Sequence, residues 1–151
     1  MSEAIKILQK NKKAFFNYEI VESLECGIVL EGTEVKSLRI GKFSFADAYV
    51  RIVKDELVLI GLHISTYTHG NLNNHEPDRD RKLLANRQEI KKLKRKVDEK
   101  GLTLVPTKIY LKRGLIKVEV STARGKRVHD KRNAIKERDL NREAQRSMKD
   151  Y

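Results

Sequence analysis

Hydrophobic and polar positions change period several times along the chain, and each change predicts an element. Phe16, Tyr18 and Ile20 stand two apart, and residues 26–30 form a short apolar run after a polar interruption, which predicts two strands. Between Gly32 and Gly41, Val35 and Leu38 lie three apart, so a short helix is expected there, with Thr33 as its N-cap. Residues 49–53 and 57–64 flank Lys54, Asp55 and Glu56, while 102–111 and 115–120 flank Lys112, Arg113 and Gly114; both read as hairpins. Over residues 79–100, Leu83, Asn86, Ile90, Leu93 and Val97 follow a 3-4-3-4 spacing. That is the apolar stripe of a surface helix, interrupted once by Asn86 and closed by Gly101. Lys91, Lys92, Lys94, Arg95 and Lys96 crowd its C-terminal half, where cations complement the helix dipole.

Short strands joined by hairpins, without βαβ alternation, predict a mainly β fold. The expected form is an OB-like antiparallel barrel of about six strands with two or three flanking helices, because closure removes exposed sheet edges. Residues 65–80, with Gly70, Asn71, Asn73, Asn74 and Pro77, read as a mobile polar connection. Beyond Ala123 the apolar residues thin to Val128, Ile135, Leu140, Ala144 and Met148. Ordering costs about 1–2 kcal/mol per residue, more than so few can offset. The chain therefore divides into a body, 1–123, and a tail, 124–151, disordered when free. If helical, the tail aligns Leu140, Ala144 and Met148 in one row and Arg138, Arg142 and Arg146 in another, a pattern suited to folding on RNA.

The chain has 151 residues, enough for one domain, and a formal net charge of +12. Residues 1–78 carry 9 basic and 11 acidic side chains; residues 79–151 carry 24 and 10, so the basicity belongs to the second half. That balance favours polyanionic partners. A single cysteine, Cys26, forms no internal disulfide and reads as a small core residue; no apolar run approaches the roughly 20 residues of a membrane span, and no signal-peptide pattern opens the chain. A cytoplasmic location is expected. His63, His69 and His75 stand six apart, which matches no zinc pattern, and no nucleophile, phosphate-loop or dinucleotide motif is found, so neither metal nor cofactor is expected. Scattered carboxylates such as Glu25, Glu34 and Asp47 leave a metal-dependent nuclease as a distant alternative. Glu25 reads equally as a solvated turn acid or as an acceptor for base or ribose donors.

Several strings together resemble one family: Asn11-Lys-Lys-Ala14, Glu25-Cys-Gly27, Gly32-Thr-Glu-Val-Lys-Ser-Leu-Arg39, Gly41-Lys42, Arg81-Lys-Leu-Leu84 with Asn86, and Gly125-Lys-Arg-Val-His-Asp-Lys-Arg132. In this order they are similar to the SmpB family of SsrA-binding proteins. The resemblance implies a non-enzymatic, monomeric partner of transfer-messenger RNA (tmRNA). Such a partner binds the tRNA-like domain near its elbow and carries the RNA to ribosomes stalled on messages without a stop codon. It places Asn11, Lys12, Glu25, Gly27, Lys36, Arg39, Leu84, Asn86 and Lys117 at or beneath the RNA surface. Gly27 and Leu84 admit a purely packing role as well. The resemblance assigns Gly125, Lys126, Arg127, His129, Asp130, Lys131 and Arg132 to the decoding centre, with Leu140 and Met148 facing the empty mRNA channel of the small subunit. His129 is suited to stacking on a base, and Asp130 either contacts RNA or caps the emerging helix. Thr33, Phe16 and Leu140 depart from the family pattern, which commonly has tryptophan, a basic residue or histidine, and a tail aromatic at these places.

Overall fold

A computed structural model describes residues 4–67 and 74–126. In chain order the elements are β1 (Ile5–Lys10), α1 (Lys12–Asn17), β2 (Tyr18–Ile28), α2 (Gly32–Arg39), β3 (Phe43–Ser44) and β4 (Tyr49–Val53). Then follow β5 (Glu56–Ile60), β6 (His63–Ile64), β7 (Arg81–Leu84), α3 (Arg87–Lys100), β8 (Thr103–Lys112) and β9 (Leu115–Gly125). The fold is mainly β and its pairings are antiparallel. Hydrogen-bonded neighbours run β8-β4-β5-β7-β2-β9, and β9 pairs again with β8, so six strands form a closed circuit with β1 added along β8. β3 and β6 make a separate pair.

Both expected hairpins are present, with tighter turns. Lys54 and Asp55 have φ of 50° and 62°, and Arg113 and Gly114 have 52° and 74°. Two consecutive left-handed residues make a two-residue turn whose twist matches the strands, so Glu56 and Lys112 pair within the ladder. Gly61, at φ 86°, ends β5, and residues 57–64 are therefore two strands.

Four expectations are corrected. The strands read near Phe16 and residues 26–30 are one eleven-residue strand, β2, while Phe16 and Asn17 belong to α1. Leu83 lies on β7, paired with Leu57 and Ile28, and α3 starts only at Arg87; Ile90, Leu93 and Val97 keep the apolar stripe. Gly101 closes α3 in the left-handed region, its N–H donating to Val97 O. The N-cap of α2 is Glu31, whose N–H donates to Glu34 Oε1 at 2.8 Å, and Thr33 instead sits 2.9 Å from His75 Nδ1. Finally, β9 continues past Ala123, pairing Arg124 with Glu19 and Gly125 with Tyr18, so the sheet takes two residues assigned to the tail.

The described parts of the 65–80 connection are anchored, against the expectation of a mobile loop. Ile64 N–H donates to Pro77 O, buried His75 has Nε2 2.8 Å from Ile64 O, and Asn74 exchanges hydrogen bonds with the Tyr67 main chain. At its end Arg79 and Arg81 clasp Glu34, each at 2.5 Å; Glu34 and Arg81 are fully buried. Arg81 also donates to Leu62 O at 2.6 Å and Pro77 O at 3.0 Å. Burial pushes the Glu34 carboxyl up, but the two guanidinium groups and the Glu31 N–H outweigh it and hold the group below its ordinary value. The core around this anchor joins Leu38 of α2 and Ile90 and Leu93 of α3 to Cys26, Leu57, Leu59, Leu83, Ile109 and Val118 of the strands.

Arg81→Met is expected to cost about 3–5 kcal/mol in urea unfolding, because it leaves Glu34 buried without its deepest partner. A folded value below the unfolded one means that Glu34 contributes stability above its unfolded pKa of about 4.3, lost as pH falls through the folded value. Glu34→Gln should remove this part of the acid sensitivity along with stability at neutral pH. An Arg81→Met protein as stable as the parent would refute the anchor.

Candidate nucleic-acid interface

The strand period sorts the sheet into two faces. Cys26, Val118 and Ile109 are fully buried on the core side, so their neighbours Glu25, Gly27, Lys117, Glu119 and Tyr110 lie on the outer face. Register lines these up in rows: Leu84–Gly27–Lys117–Tyr110 crosses β7, β2, β9 and β8, and Glu25–Glu119–Lys108 lies beside it. Next comes a hydroxyl row, in which Ser121 Oγ is 2.8 Å from both Ser23 Oγ and Thr107 Oγ1. The same face ends beneath α1, where Ala14 packs on Val105 and Ala123. From Ala123 to Lys117 is about 20 Å at 3.3 Å per residue.

Gly27, Leu84 and Lys117 are thus brought into one row. A Cβ on Gly27 would stand 3.3 Å from Leu84 Cβ, so the glycine lets the half-exposed Leu84 lie close against β2. Together with Val35, Leu115 and Ile116 these three line a hollow of about 310 Å³. Arg39 reaches its rim, donating to Gly114 O at 3.2 Å, while Lys36, three residues before on α2, lies 5.4 Å from the centre of the Tyr67 ring. Asn86, two residues past Leu84, is exposed at the start of α3, and its Nδ2 donates to Glu89 Oε1 at 3.4 Å.

Glu25 is not a turn acid; it lies within β2, opposite Glu119. Tyr110 OH donates to its Oε1 at 2.7 Å and Lys112 Nζ to its Oε2 at 3.2 Å. The tyrosine hydrogen bond, with Lys112 and Lys117, holds the carboxyl below its ordinary value. Burial and the nearby carboxylate push the Tyr110 hydroxyl up. The sequence reading did not single out Tyr110, although its two-residue spacing from Lys108 and Lys112 marks the shared face. Burial raises the neighbouring Cys26 thiol to about 12, which leaves it unreactive at neutral pH.

Asn11 has a different role from its exposed counterparts. It is 5% exposed; its Oδ1 accepts from Ala14 N–H at 3.2 Å, capping α1, and its Nδ2 donates to Pro106 O at 2.8 Å. It fastens α1, and exposed Lys12 with it, to the far end of the sheet face. Lys126 N–H donates to Asn17 O at 3.0 Å, so β9 ends at Gly125 and Lys126 leaves the sheet beside α1. Arg127, His129, Asp130, Lys131, Arg132, Leu140 and Met148 lie outside the described residues.

The carboxylates of the nuclease alternative have separate partners: Tyr110 and Lys112 for Glu25, two arginines for Glu34, and Lys13 for Asp47. Among the described residues no three His, Cys, Asp or Glu side chains are grouped to hold a metal ion. His63 pairs with Asp78 at 2.8 Å, His75 with Thr33 and the Ile64 carbonyl, and His69 lies outside the described residues. No described helix is long and apolar enough to cross a membrane.

The family model for SmpB protein matches residues 8–150. The chain belongs to the SmpB family. An SsrA-binding protein of Syntrophotalea carbinolica is 55% identical over 146 residues, 97% of each chain. One from Treponema denticola is 52% identical over 145 residues, covering 96% of this chain and 94% of that one. A chain of the solved structure "tmRNA-SmpB: a journey to the center of the bacterial ribosome" aligns with a TM-score of 0.67 at 47% identity, covering 84% of this chain and 93% of that one. Family membership covers the outer sheet face, α1 and nearly all of the basic C-terminal segment.

Asn11→Ala removes the α1 cap and leaves Pro106 O without its side-chain donor, at an expected cost of about 1–3 kcal/mol. Urea unfolding measures it. Unchanged stability would refute the anchoring role of Asn11.

Proposed function

We propose that this chain is a non-enzymatic RNA-binding adaptor of trans-translation, whose body binds the tRNA-like domain of tmRNA and delivers that RNA to stalled ribosomes. The closed six-strand circuit is, on this reading, an OB-like barrel whose outer β7-β2-β9-β8 face is the RNA surface. The observation that carries the reading is the row of Leu84, Gly27 and Lys117 beside Glu25, on a chain of the SmpB family.

The chemistry of that face fits folded RNA. Lys117, Arg39 and Lys12 neutralise phosphates, Asn86 both donates and accepts, and Leu84 supplies an apolar contact for a ribose or base. Glu25 accepts only, so it favours an amino edge or a 2′-hydroxyl and disfavours phosphate. Such a mixed surface reads the shape of a tRNA-like fold, which a purely cationic surface does not.

The C-terminal segment carries the second half of the function. Residues 126–151, past the end of β9, hold 9 basic and 5 acidic side chains, and their sparse apolar residues suit a segment that becomes helical only on a partner. In our reading Gly125, Lys126, Arg127, His129, Asp130, Lys131 and Arg132 enter the decoding centre, and Leu140 and Met148 follow along the empty mRNA channel. The adaptor works in the cytoplasm as a monomer and needs no cofactor.

Truncation after Lys126 preserves the whole of β9. It should leave affinity for the tRNA-like domain within a few-fold of the full chain while abolishing peptidyl transfer to charged tmRNA on stalled ribosomes. Loss of RNA binding in that truncation would contradict the division of labour. Lys117→Ala should weaken RNA binding by about ten- to hundredfold, as expected for one charge-assisted contact, with an unchanged thermal midpoint. A collapse of the fold would make Lys117 structural.

A further inference from the structure

We propose that Tyr110 is a positioning residue for RNA recognition, its buried hydroxyl fixing the Glu25 carboxylate as a hydrogen-bond acceptor on the RNA surface. The inference rests on the function proposed above and adds the part of the machinery that makes one acidic group useful on a basic face.

Tyr110 is on the outer face yet only 5% exposed, so it offers RNA little surface of its own. Its ring is flanked by Lys108, whose Nζ lies 5.5 Å from the ring centre, and its hydroxyl is spent on Glu25 Oε1 at 2.7 Å. Lys112 takes Oε2 at 3.2 Å. Each carboxylate oxygen has about two lone-pair sites, so one partner apiece fixes the group and leaves acceptor capacity on its exposed side. The Glu25 side chain is 36% exposed and has that side available.

A glutamate alone on a strand swings through its rotamers and loses side-chain entropy on binding; one already held by two donors loses less. The same donors bear on its charge. From β8 it faces Tyr110 and Lys112, and from β9 it faces Lys117 and Glu119, with Lys108 paired to that Glu119 at 3.6 Å. Tyr110 contributes most to holding the carboxyl below its ordinary value. Removing the hydroxyl therefore moves the midpoint up, toward the ordinary glutamate value. The surface then keeps its cations and loses the oriented acceptor, so discrimination suffers more than general attraction to RNA.

The test uses full-length Tyr110→Phe, Glu25→Gln and the double variant, with the tmRNA tRNA-like domain and a generic RNA duplex as probes. Tyr110→Phe should bind the tRNA-like domain about tenfold more weakly, the loss expected of one hydrogen bond to a charged group, and bind the duplex as the parent does. The double variant should be no weaker than Glu25→Gln alone. Carboxyl NMR of labelled glutamate should give a Glu25 midpoint below the ordinary value in the parent and a higher one in Tyr110→Phe. Parental affinity in Tyr110→Phe, equal loss for both probes, or additive losses in the double variant would each overturn the proposal. Should Tyr110→Phe not fold, the parent titration decides: an ordinary Glu25 midpoint refutes the positioning role. A parent that shows no preference for the tRNA-like domain refutes the proposed function as well, which separates the two failures.

Discussion

One buried carboxylate organises this molecule. Glu34 sits fully buried between Arg79 and Arg81, and those three side chains tie the start of α2, the end of the 74–80 segment and β7 to one point. An unpaired buried charge costs several kcal/mol, so these elements cannot separate independently. The consequence for the outer face is a matter of register. Arg81 points into the core, which forces Leu83 inward and turns Lys82 and Leu84 outward. A slip by one residue would bury Lys82 and Leu84 and remove the latter from its place against Gly27. The arginine clasp therefore sets the half-exposed leucine of the outer face three residues away.

The same anchor also governs α2. Glu34 receives the Glu31 N–H at the start of that helix, and one turn later Leu38 enters the core while Arg39 reaches the β8–β9 turn. Helix, hairpin tip and β7 meet around the hollow beside Gly27 because one ion cluster fixes two of the three. What stands on that face is chemically mixed: cations, an apolar side chain, and a glutamate held by Tyr110. A basic face alone attracts any polyanion; on the proposed function, the ordered acceptor among the cations is what gives the face a preference.

Much of this fold is legible in the sequence. Both hairpins, α2, the Ile90-Leu93-Val97 stripe and the Gly101 stop follow from period and turn chemistry that act within a few residues. Most of the failures share a cause: they depend on a partner distant in sequence. Leu83 fits a helical spacing with Ile90, but Leu57 and Ile28 claim it for a strand. α1 is six residues long, too short to display a period, and it is held by Asn11 reaching Pro106. The polar composition of residues 65–80 suggested mobility, because nothing local shows that Arg79 and Arg81 have Glu34 as their counterpart. At the candidate site the motif residues were legible, while Tyr110 was not, since its importance lies in a hydrogen bond to a residue 85 positions away.

The measurement that tests the central claim most directly is competition between the tmRNA tRNA-like domain and an ordinary tRNA for this protein, repeated across a range of salt concentrations. Charge neutralisation weakens both complexes as salt rises, whereas recognition through Glu25, Leu84 and Asn86 does not depend on counterion release. A preference for the tRNA-like domain that persists at high salt is the predicted result. Equal affinities that fall together with the same salt slope would contradict it, and would reduce the outer face to a basic surface without selectivity.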